Sequence, residues 1–228
     1  MVVDKRYAVY FMPPAGSALQ RFGAHWLGWD ADRAAHEPHP DAPFDVAALT
    51  RTPRKYGFHA TLKPPFRLQP GASTGGIDRA LRTIAARHAG FVLAPVQVAA
   101  IGPFLALVPE DGDPALQALA DDLVTALDTF RAPLTEAEIA RRKPDTLSER
   151  QRANLAAWGY PFVLEEFRFH MTLTGPIRNG SEREAVRTWL ETRLQAVTGG
   201  TLAIGEIALC GEGEDGLFRV RHRYPLTG

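Results

Sequence analysis

The chain has 228 residues, of which 45% are apolar, and its 26 lysines and arginines balance its 26 aspartates and glutamates. This length predicts one large domain or two small lobes, with enough apolar residues for a sizeable core. The charge balance argues against broad electrostatic capture of nucleic acid or of an anionic membrane, although a small anionic ligand needs only a local cluster of donors.

Several classes of protein are disfavoured by what the sequence lacks. One cysteine, Cys210, excludes an internal disulfide and fits a reduced, cytoplasmic setting. Asp4, Lys5 and Arg6 precede a short apolar run that is typical of neither a signal peptide nor a membrane span. Zinc-ligand spacing, a P-loop and a dinucleotide-binding glycine fingerprint are absent, so we expect no metal and no cofactor.

Hydrophobic periodicity and turn residues predict the elements of the first half of the chain. In chain order they are a strand over 6–11, a helix over 17–29, a loop over 31–43, a short helix over 44–50, a strand over 56–63 and a helix over 77–89. The second strand is expected to end at Pro64 and Pro65.

A similar succession is predicted for the second half. It comprises strands over 91–101 and 104–109, a helix from 113 to 130, one or two arginine-rich helices over 133–159, a strand over 167–174, a helix from 181, and strands over 201–210 and 217–224. Strands and helices alternate, but direct strand-to-strand turns also occur. This pattern favours an α+β fold with antiparallel pairing over a doubly wound parallel sheet.

Two short segments share one pattern: Phe58-His59-Ala60-Thr61-Leu62 and Phe169-His170-Met171-Thr172-Leu173. Side chains alternate between the two faces of a strand, so each segment has an apolar face and a polar face. The polar faces are predicted to carry Gly57, His59, Thr61 and Lys63 in one strand, and Arg168, His170, Thr172 and Thr174 in the other.

Two histidines on separate strands fit phosphoester chemistry. One imidazole can accept a proton from water or a hydroxyl while the other protonates the leaving oxygen, because histidine titrates near pH 6.5. The hydroxyls of Thr61 and Thr172, with Lys63 or Arg168, would hold the non-bridging oxygens. The alternative is that both are ordinary strand histidines without a shared site.

Beyond these motifs, the chain resembles the 2H phosphoesterase superfamily, which includes bacterial RNA ligase-like and cyclic phosphodiesterase proteins, and within it a DUF1045-like branch associated with phosphonate metabolism. The resemblance covers nearly the whole chain. It is carried by RYAVYF at 6–11, RFG at 21–23, WLG at 26–28, KYGFHATLKPPF at 55–66, WGYP at 158–161 and FHMTLTG at 169–175.

This resemblance implies a bilobal α+β fold with pseudo-two-fold symmetry, the first lobe over about 1–92 and the second over about 93–228. The two motifs would face each other across a cleft. It also implies a metal-independent reaction on a cyclic or 2′-linked phosphodiester, with catalytic roles for His59, Thr61, His170 and Thr172.

Further candidates for substrate contact each have a structural alternative. Tyr7, Tyr56 and Tyr10 are expected to stack on a sugar or base, or to be core residues. Arg141 and Arg142 belong to a basic run that is either a flap over a phosphate or a solvated helix face. Arg219 and Arg221 share one face of the last strand with Arg223, and this face either borders the cleft or lies at the sheet edge.

The sequence therefore predicts a cytoplasmic phosphoesterase whose partner is a small phosphate ester, with a phosphorylated sugar cyclic phosphate favoured through the phosphonate branch. One alternative is an enzyme that processes 2′,3′-cyclic or 2′,5′-linked RNA ends, in which case nucleic acid is bound only as an oligonucleotide end. Another is a non-catalytic protein that binds a phosphorylated metabolite. No membrane partner is expected.

Overall fold

The computed structural model describes residues 4–228. The strands in this range are β1 (Tyr7–Phe11), β2 (Trp29–Asp30), β3 (Ala35–His36), β4 (Ala60–Phe66), β5 (Phe91–Leu93), β6 (Val96–Ile101), β7 (Phe104–Pro109), β8 (Met171–Thr172), β9 (Leu202–Ile204), β10 (Glu206–Glu212) and β11 (Phe218–Pro225). The α-helices are α1 (Ala18–Leu27), α2 (Val46–Thr50), α3 (Thr74–Ala85), α4 (Pro114–Ala126), α5 (Glu136–Arg141), α6 (Glu149–Trp158) and α7 (Gly180–Thr198).

Seven strands form one sheet in the order β11-β10-β1-β4-β8-β7-β6. Every neighbouring pair in this sheet is antiparallel. The strands β2 and β3 form a separate pair, as do β5 and β9. The predicted α+β class with antiparallel pairing is confirmed.

The sheet has a narrow seam at its centre. Strand β4 pairs with β8 through Ala60 and Met171, which joins the β11-β10-β1-β4 side to the β8-β7-β6 side. The C-terminal hairpin of β10 and β11 pairs with β1, so residues from both ends of the sequence build the side that carries the first motif. The division into lobes over 1–92 and 93–228 stays a prediction.

The helices cover one face of this sheet. Val9, Phe11 and Leu62 point to that face and pack in a core with apolar residues of α1, α3, α4 and α7. On the other face, Ala8 and Tyr10 belong to a smaller cluster with Trp29, Cys210 and Phe218. The second face is therefore only partly covered, which leaves room for a cleft beside the seam.

Helix α1 contacts both histidine motifs. A Cβ atom added at Gly23 would lie 2.2 Å from Cδ1 of Phe58, so only glycine allows the helix to pack this closely against the first motif. The indole Nε1 of Trp26 donates a hydrogen bond of 2.7 Å to the carbonyl oxygen of Leu173 in the second motif. One helix thus fixes the two motifs relative to each other.

Some element bounds differ from the predicted ones. The residues before His59 form a 3-10 turn, Arg54–Tyr56, and β4 starts at Ala60 and continues through Pro64 and Pro65. Prolines are tolerated there because the β1–β4 ladder has register shifts, where a missing N–H breaks no regular pairing. The predicted strand over 167–174 is reduced to β8. Within the described range of the chain, none of the helices has the length and apolar character needed to cross a membrane.

Candidate active site

The two histidines and two threonines form a square across the sheet seam. Ala60 pairs with Met171, and both are fully buried on the core side. Continuing this antiparallel register places His59 opposite Thr172 and Thr61 opposite His170, all four on the cleft side. The two histidines therefore occupy diagonal corners, which in an antiparallel pair lie about 7–8 Å apart at the backbone.

Both imidazole rings are held by the backbone in the same way. Nδ1 of His59 lies 2.9 Å from the carbonyl oxygen of Gly57, and Nδ1 of His170 lies 2.7 Å from that of Arg168. A carbonyl only accepts, so each Nδ1 carries the hydrogen and each Nε2 is left for chemistry. Nε2 of His59 lies 3.2 Å from Oγ1 of Thr61.

Gly57 sets the position of the first ring. Its φ of +73° lies in the left-handed region, and a Cβ atom there would lie 2.9 Å from Cβ of Ala31. This conformation turns the Gly57 carbonyl towards His59 at the end of the 3-10 turn. The glycine two residues before the histidine is thus part of the motif's geometry.

The environment of His59 favours its neutral form. Burial lowers the pKa of His59 to about 4, the hydrogen bond to Gly57 opposes this shift, and the charge of His170 adds to it. The ring lies against Tyr10, with ring centroids 4.0 Å apart, and beside Tyr56 at 5.6 Å. Aromatic shielding therefore leaves His59 unprotonated at neutral pH, as a general base requires.

Two adjoining cavities form the cleft. The first, of about 350 Å³, is lined by His59 and Thr172 among other residues. The second, of about 400 Å³, is lined by His170 and Arg168. Both cavities share Thr61, Pro64, Phe104 and Tyr160 as a common wall. The square of histidines and threonines thus lies where the two cavities meet.

The prediction that Lys63 faces the cleft is wrong. Thr61 pairs with Tyr10 but Lys63 pairs with Val9, so the ladder contains a bulge at Leu62 that turns Lys63 to the core side. Its ammonium group donates to the carbonyl oxygen of Val124 at 2.8 Å and lies 3.3 Å from Oδ1 of Asp128. Burial lowers the pKa of Lys63 to about 8. This lysine binds the C-terminal end of α4 instead of a substrate.

The other predicted contact residues divide into two groups. Tyr10, Tyr56 and Arg142 line the first cavity, and Arg168 lines the second. The other predicted contact residues line neither cavity, so their prediction is wrong; they are Tyr7, Arg141, Arg219 and Arg221.

Each of the displaced residues has a structural reason for its place. Tyr7 is buried in the core on the helix side, where its hydroxyl accepts a hydrogen bond from the backbone of Asp4. Arg219 pairs with Asp215 and Arg221 with Asp4. Arg141 ends α5 with its side chain in solvent.

Sequence reasoning missed Arg6, the residue that precedes β1. Arg6 lines the first cavity and binds Glu212 through Nε at 2.6 Å and Nη2 at 2.9 Å. Tyr10 lines the same cavity. The alternation along the sequence predicts that Arg6, Ala8 and Tyr10 share one face. Only the strand order shows that this face lies beside the first motif.

Metal binding has no preformed set of ligands in the part of the chain from residue 4 onward, where no three histidine, cysteine or carboxylate side chains gather. A larger cavity of about 550 Å³ lies under α5 and α6, lined by Arg131, Ile139 and Arg152 among others. Neither histidine of the square borders it.

Comparison with known proteins gives one family. The model of a family described as "Protein of unknown function (DUF1045)" matches residues 61–219. A protein of Janthinobacterium sp. (strain Marseille), named ribose 1,5-bisphosphate phosphokinase PhnN, is 36% identical over an alignment of 236 positions that covers 98% of this chain and 51% of that protein. A protein of the same name from Laribacter hongkongensis is 38% identical over an alignment of 184 positions that covers 75% of this chain and 40% of that protein. The chain thus spans about half the length of these curated relatives or less.

Among solved structures, apo LigT of E. coli is 17% identical with a TM-score of 0.46, covering the whole of both chains. TT0787 of Thermus thermophilus is 14% identical with a TM-score of 0.45, covering 98% of both chains.

Proposed function

Since the chain belongs to the DUF1045 family, whose description assigns no function, we propose an activity from the site itself. The protein is a metal-independent phosphoesterase that hydrolyses a small cyclic phosphodiester, with His59 as general base and His170 as general acid. The observation that carries this proposal is the square at the seam, in which both histidines are anchored through Nδ1 to the carbonyl two residues earlier.

The reaction requires two proton transfers on opposite sides of phosphorus. Nε2 of His59 takes a proton from water as the water oxygen bonds to phosphorus. The bond from phosphorus to one ring oxygen breaks, and Nε2–H of His170 gives its proton to that oxygen. The product is a phosphate monoester with a free hydroxyl, and the histidines return to their starting states by exchanging a proton with solvent.

The diagonal arrangement suits this sequence of events. A phosphorus atom over the centre of the square has one histidine on each side, as an in-line displacement needs. Thr61 and Thr172 occupy the other two corners, where their hydroxyls can donate to the non-bridging oxygens. The lowered pKa of His59 supports its assignment as the base because the neutral ring is the form present at neutral pH.

The substrate class is drawn from the relatives. The name of these relatives gives a pentose with two phosphate groups as the compound on which they act, and that activity belongs to proteins about twice as long. A pentose cyclic phosphate is compatible with the size of the cleft and with the chemistry of the square. We propose that this protein acts on a sugar phosphate, in phosphonate metabolism as the sequence resemblance implies.

Turnover of a defined panel tests the proposal. The panel contains pentose 1,2-cyclic phosphates, nucleoside 2′,3′-cyclic phosphates and 2′,5′-linked dinucleotides, assayed with wild type, His59→Ala, His170→Ala and the control His25→Ala. We expect the first two variants to lose about 10²-fold or more in kcat, since acid–base steps contribute 10²–10⁴-fold each. His25→Ala should keep wild-type activity because His25 is exposed and binds only the Pro38 carbonyl.

The outcomes separate the alternatives. Preference for the dinucleotides would assign the protein to RNA end processing. Binding without turnover of any panel member would make it a binding protein. Full activity in either histidine variant would exclude the two-histidine mechanism, and loss of activity with a chelator that a divalent ion restores would exclude the metal-independent reaction.

A further inference from the structure

We propose that the first cavity contains a phosphate-binding subsite in addition to the square. In this subsite Arg142 and Arg6 bind a phosphate group of the same molecule that carries the scissile cyclic phosphate. This inference rests on the proposed function and assigns residues to the substrate class that the sequence favours, a sugar cyclic phosphate with a further phosphate monoester. Arg142 is then a residue that determines specificity.

The cavity is lined by charged residues that favour an anionic ligand. Its lining contains Arg6, Arg142 and His59 and includes no aspartate or glutamate. The chain as a whole carries equal numbers of acidic and basic side chains, so a cavity with two guanidinium groups and no lining carboxylate departs from the average. Phosphate binding through fixed guanidinium groups needs such a local excess of positive charge.

Arg142 is held in place but makes no polar contact through its side chain. Its guanidinium lies over the ring of Tyr160, 4.6 Å from the centroid, and across residues 4–228 it has neither an ion pair nor a hydrogen-bond partner. By contrast, Arg67, Arg131, Arg219 and Arg223 each bind a carboxylate. A guanidinium stacked on an aromatic ring keeps all its N–H groups available at its edge, the geometry that binds phosphate through two oxygens.

Helix ends fix both members of this stacked pair. Arg142 is the C-terminal cap of α5, and its backbone N–H bonds to the last turn of that helix. Tyr160 follows Gly159, the left-handed cap that ends α6. The arginine is therefore positioned before any ligand binds, which lowers the entropic cost of binding.

Arg6, the residue before β1, supplies the second donor. Glu212 occupies its Nε and Nη2, which orients the guanidinium and leaves Nη1 without a carboxylate partner. The neighbouring Tyr10 also lines the cavity, and its buried hydroxyl has no hydrogen-bond partner among the described residues. Within residues 4–228, guanidinium N–H groups without a carboxylate partner thus lie on two walls of the cavity, a feature of a site built for a polar ligand.

A matched pair of substrates tests the subsite. The compounds are a pentose 1,2-cyclic phosphate with a 5-phosphate and the same compound with a free 5-hydroxyl; a 5-carboxylate analogue separates phosphate from general anion binding. They are assayed with wild type, Arg142→Gln and the control Arg141→Gln, whose side chain is exposed one residue away and outside the cavity. Wild type should prefer the phosphorylated compound by at least tenfold in kcat/KM. Arg142→Gln should lose most of that preference and Arg141→Gln should keep it, because, of these two guanidinium groups, only that of Arg142 can form charge-assisted hydrogen bonds to the 5-phosphate in this cavity.

Failure of the subsite and failure of the proposed function give different results. Equal cleavage of both compounds by wild type, or an unchanged preference in Arg142→Gln, overturns the subsite and leaves the phosphoesterase in place. If neither compound is cleaved, calorimetric titration with pentose 5-phosphate decides: binding that Arg142→Gln abolishes supports the subsite, and absence of binding to wild type overturns it.

Discussion

The pH dependence of kcat/KM should show its acid limb near pH 4. Burial moves the pKa of His59 from 6.5 to about 4, which corresponds to roughly 3 kcal/mol against the protonated ring. A base with a lowered pKa is unprotonated above that value, so kcat/KM should be insensitive to acid until the pH falls towards 4. An unshielded histidine would lose activity already between pH 7 and 6.

Removal of an aromatic ring beside His59 should shift the acid limb of the kcat/KM profile. Tyr56 is half-buried and its ring lies 5.6 Å from that of His59, so Tyr56→Ala admits water to the imidazole and should raise its pKa towards 6.5. We expect the acid limb to rise by about one pH unit. The matched control is Phe104→Ala, whose ring lies 6.1 Å from His170 on the other side of the square, and it should leave the limb near pH 4.

The assay combines kinetics with a direct titration. The limb is taken from kcat/KM between pH 3.5 and 9, and the His59 Cε1–H resonance, identified by its absence in His59→Gln, is titrated by NMR over the same range. Because the two rings interact, the kinetic values belong to the pair. A wild-type limb between pH 6 and 7, or a limb that Tyr56→Ala leaves in place, would refute the shielding argument.

Two further predictions concern the support of the square. Gly57→Ala places a side chain against Ala31 on a residue with a left-handed φ. We expect the unfolding free energy to fall by about 1–3 kcal/mol and kcat to fall roughly tenfold. An unchanged kcat would show that the Gly57 carbonyl does not position His59. The side chain of Lys63 is only 2% exposed. Asp128→Asn leaves its ammonium group without a carboxylate and should lower the unfolding free energy by about 3–5 kcal/mol. Lys63→Met removes the buried charge and should lower it by about 1–3 kcal/mol. Chemical denaturation checks this order, and a larger loss in Lys63→Met would contradict it.

Much of the fold follows from local pattern. Apolar spacing located the helices near their observed bounds, and strand alternation placed His59 and Thr61 on a face different from that of Ala60 and Leu62. Such features depend on residues a few positions apart. The prediction failed at Lys63 because the bulge at Leu62 depends on the register with β1, which the sequence of β4 alone does not contain.

The same limit explains the gaps in the predicted site. Arg6 enters the cavity only because β1, which follows it in the chain, lies next to β4 in the sheet. Arg219 and Arg221 are drawn away by Asp215 and Asp4, partners that strand alternation does not reveal. Motif residues could be predicted from their spacing, whereas residues contributed by other strands required the topology.

The square has a consequence for how paired motifs are interpreted. Its corners are related by an approximate dyad through Ala60 and Met171, so by themselves the four motif residues give the reaction no direction. In the proposed reaction the direction comes from the neighbours: Tyr10 and Tyr56 flank one ring, and among the described residues the ring of Phe104 flanks the other at a greater distance. Aromatic substitutions that moved this shielding across the dyad would exchange donor and acceptor while leaving both motifs intact.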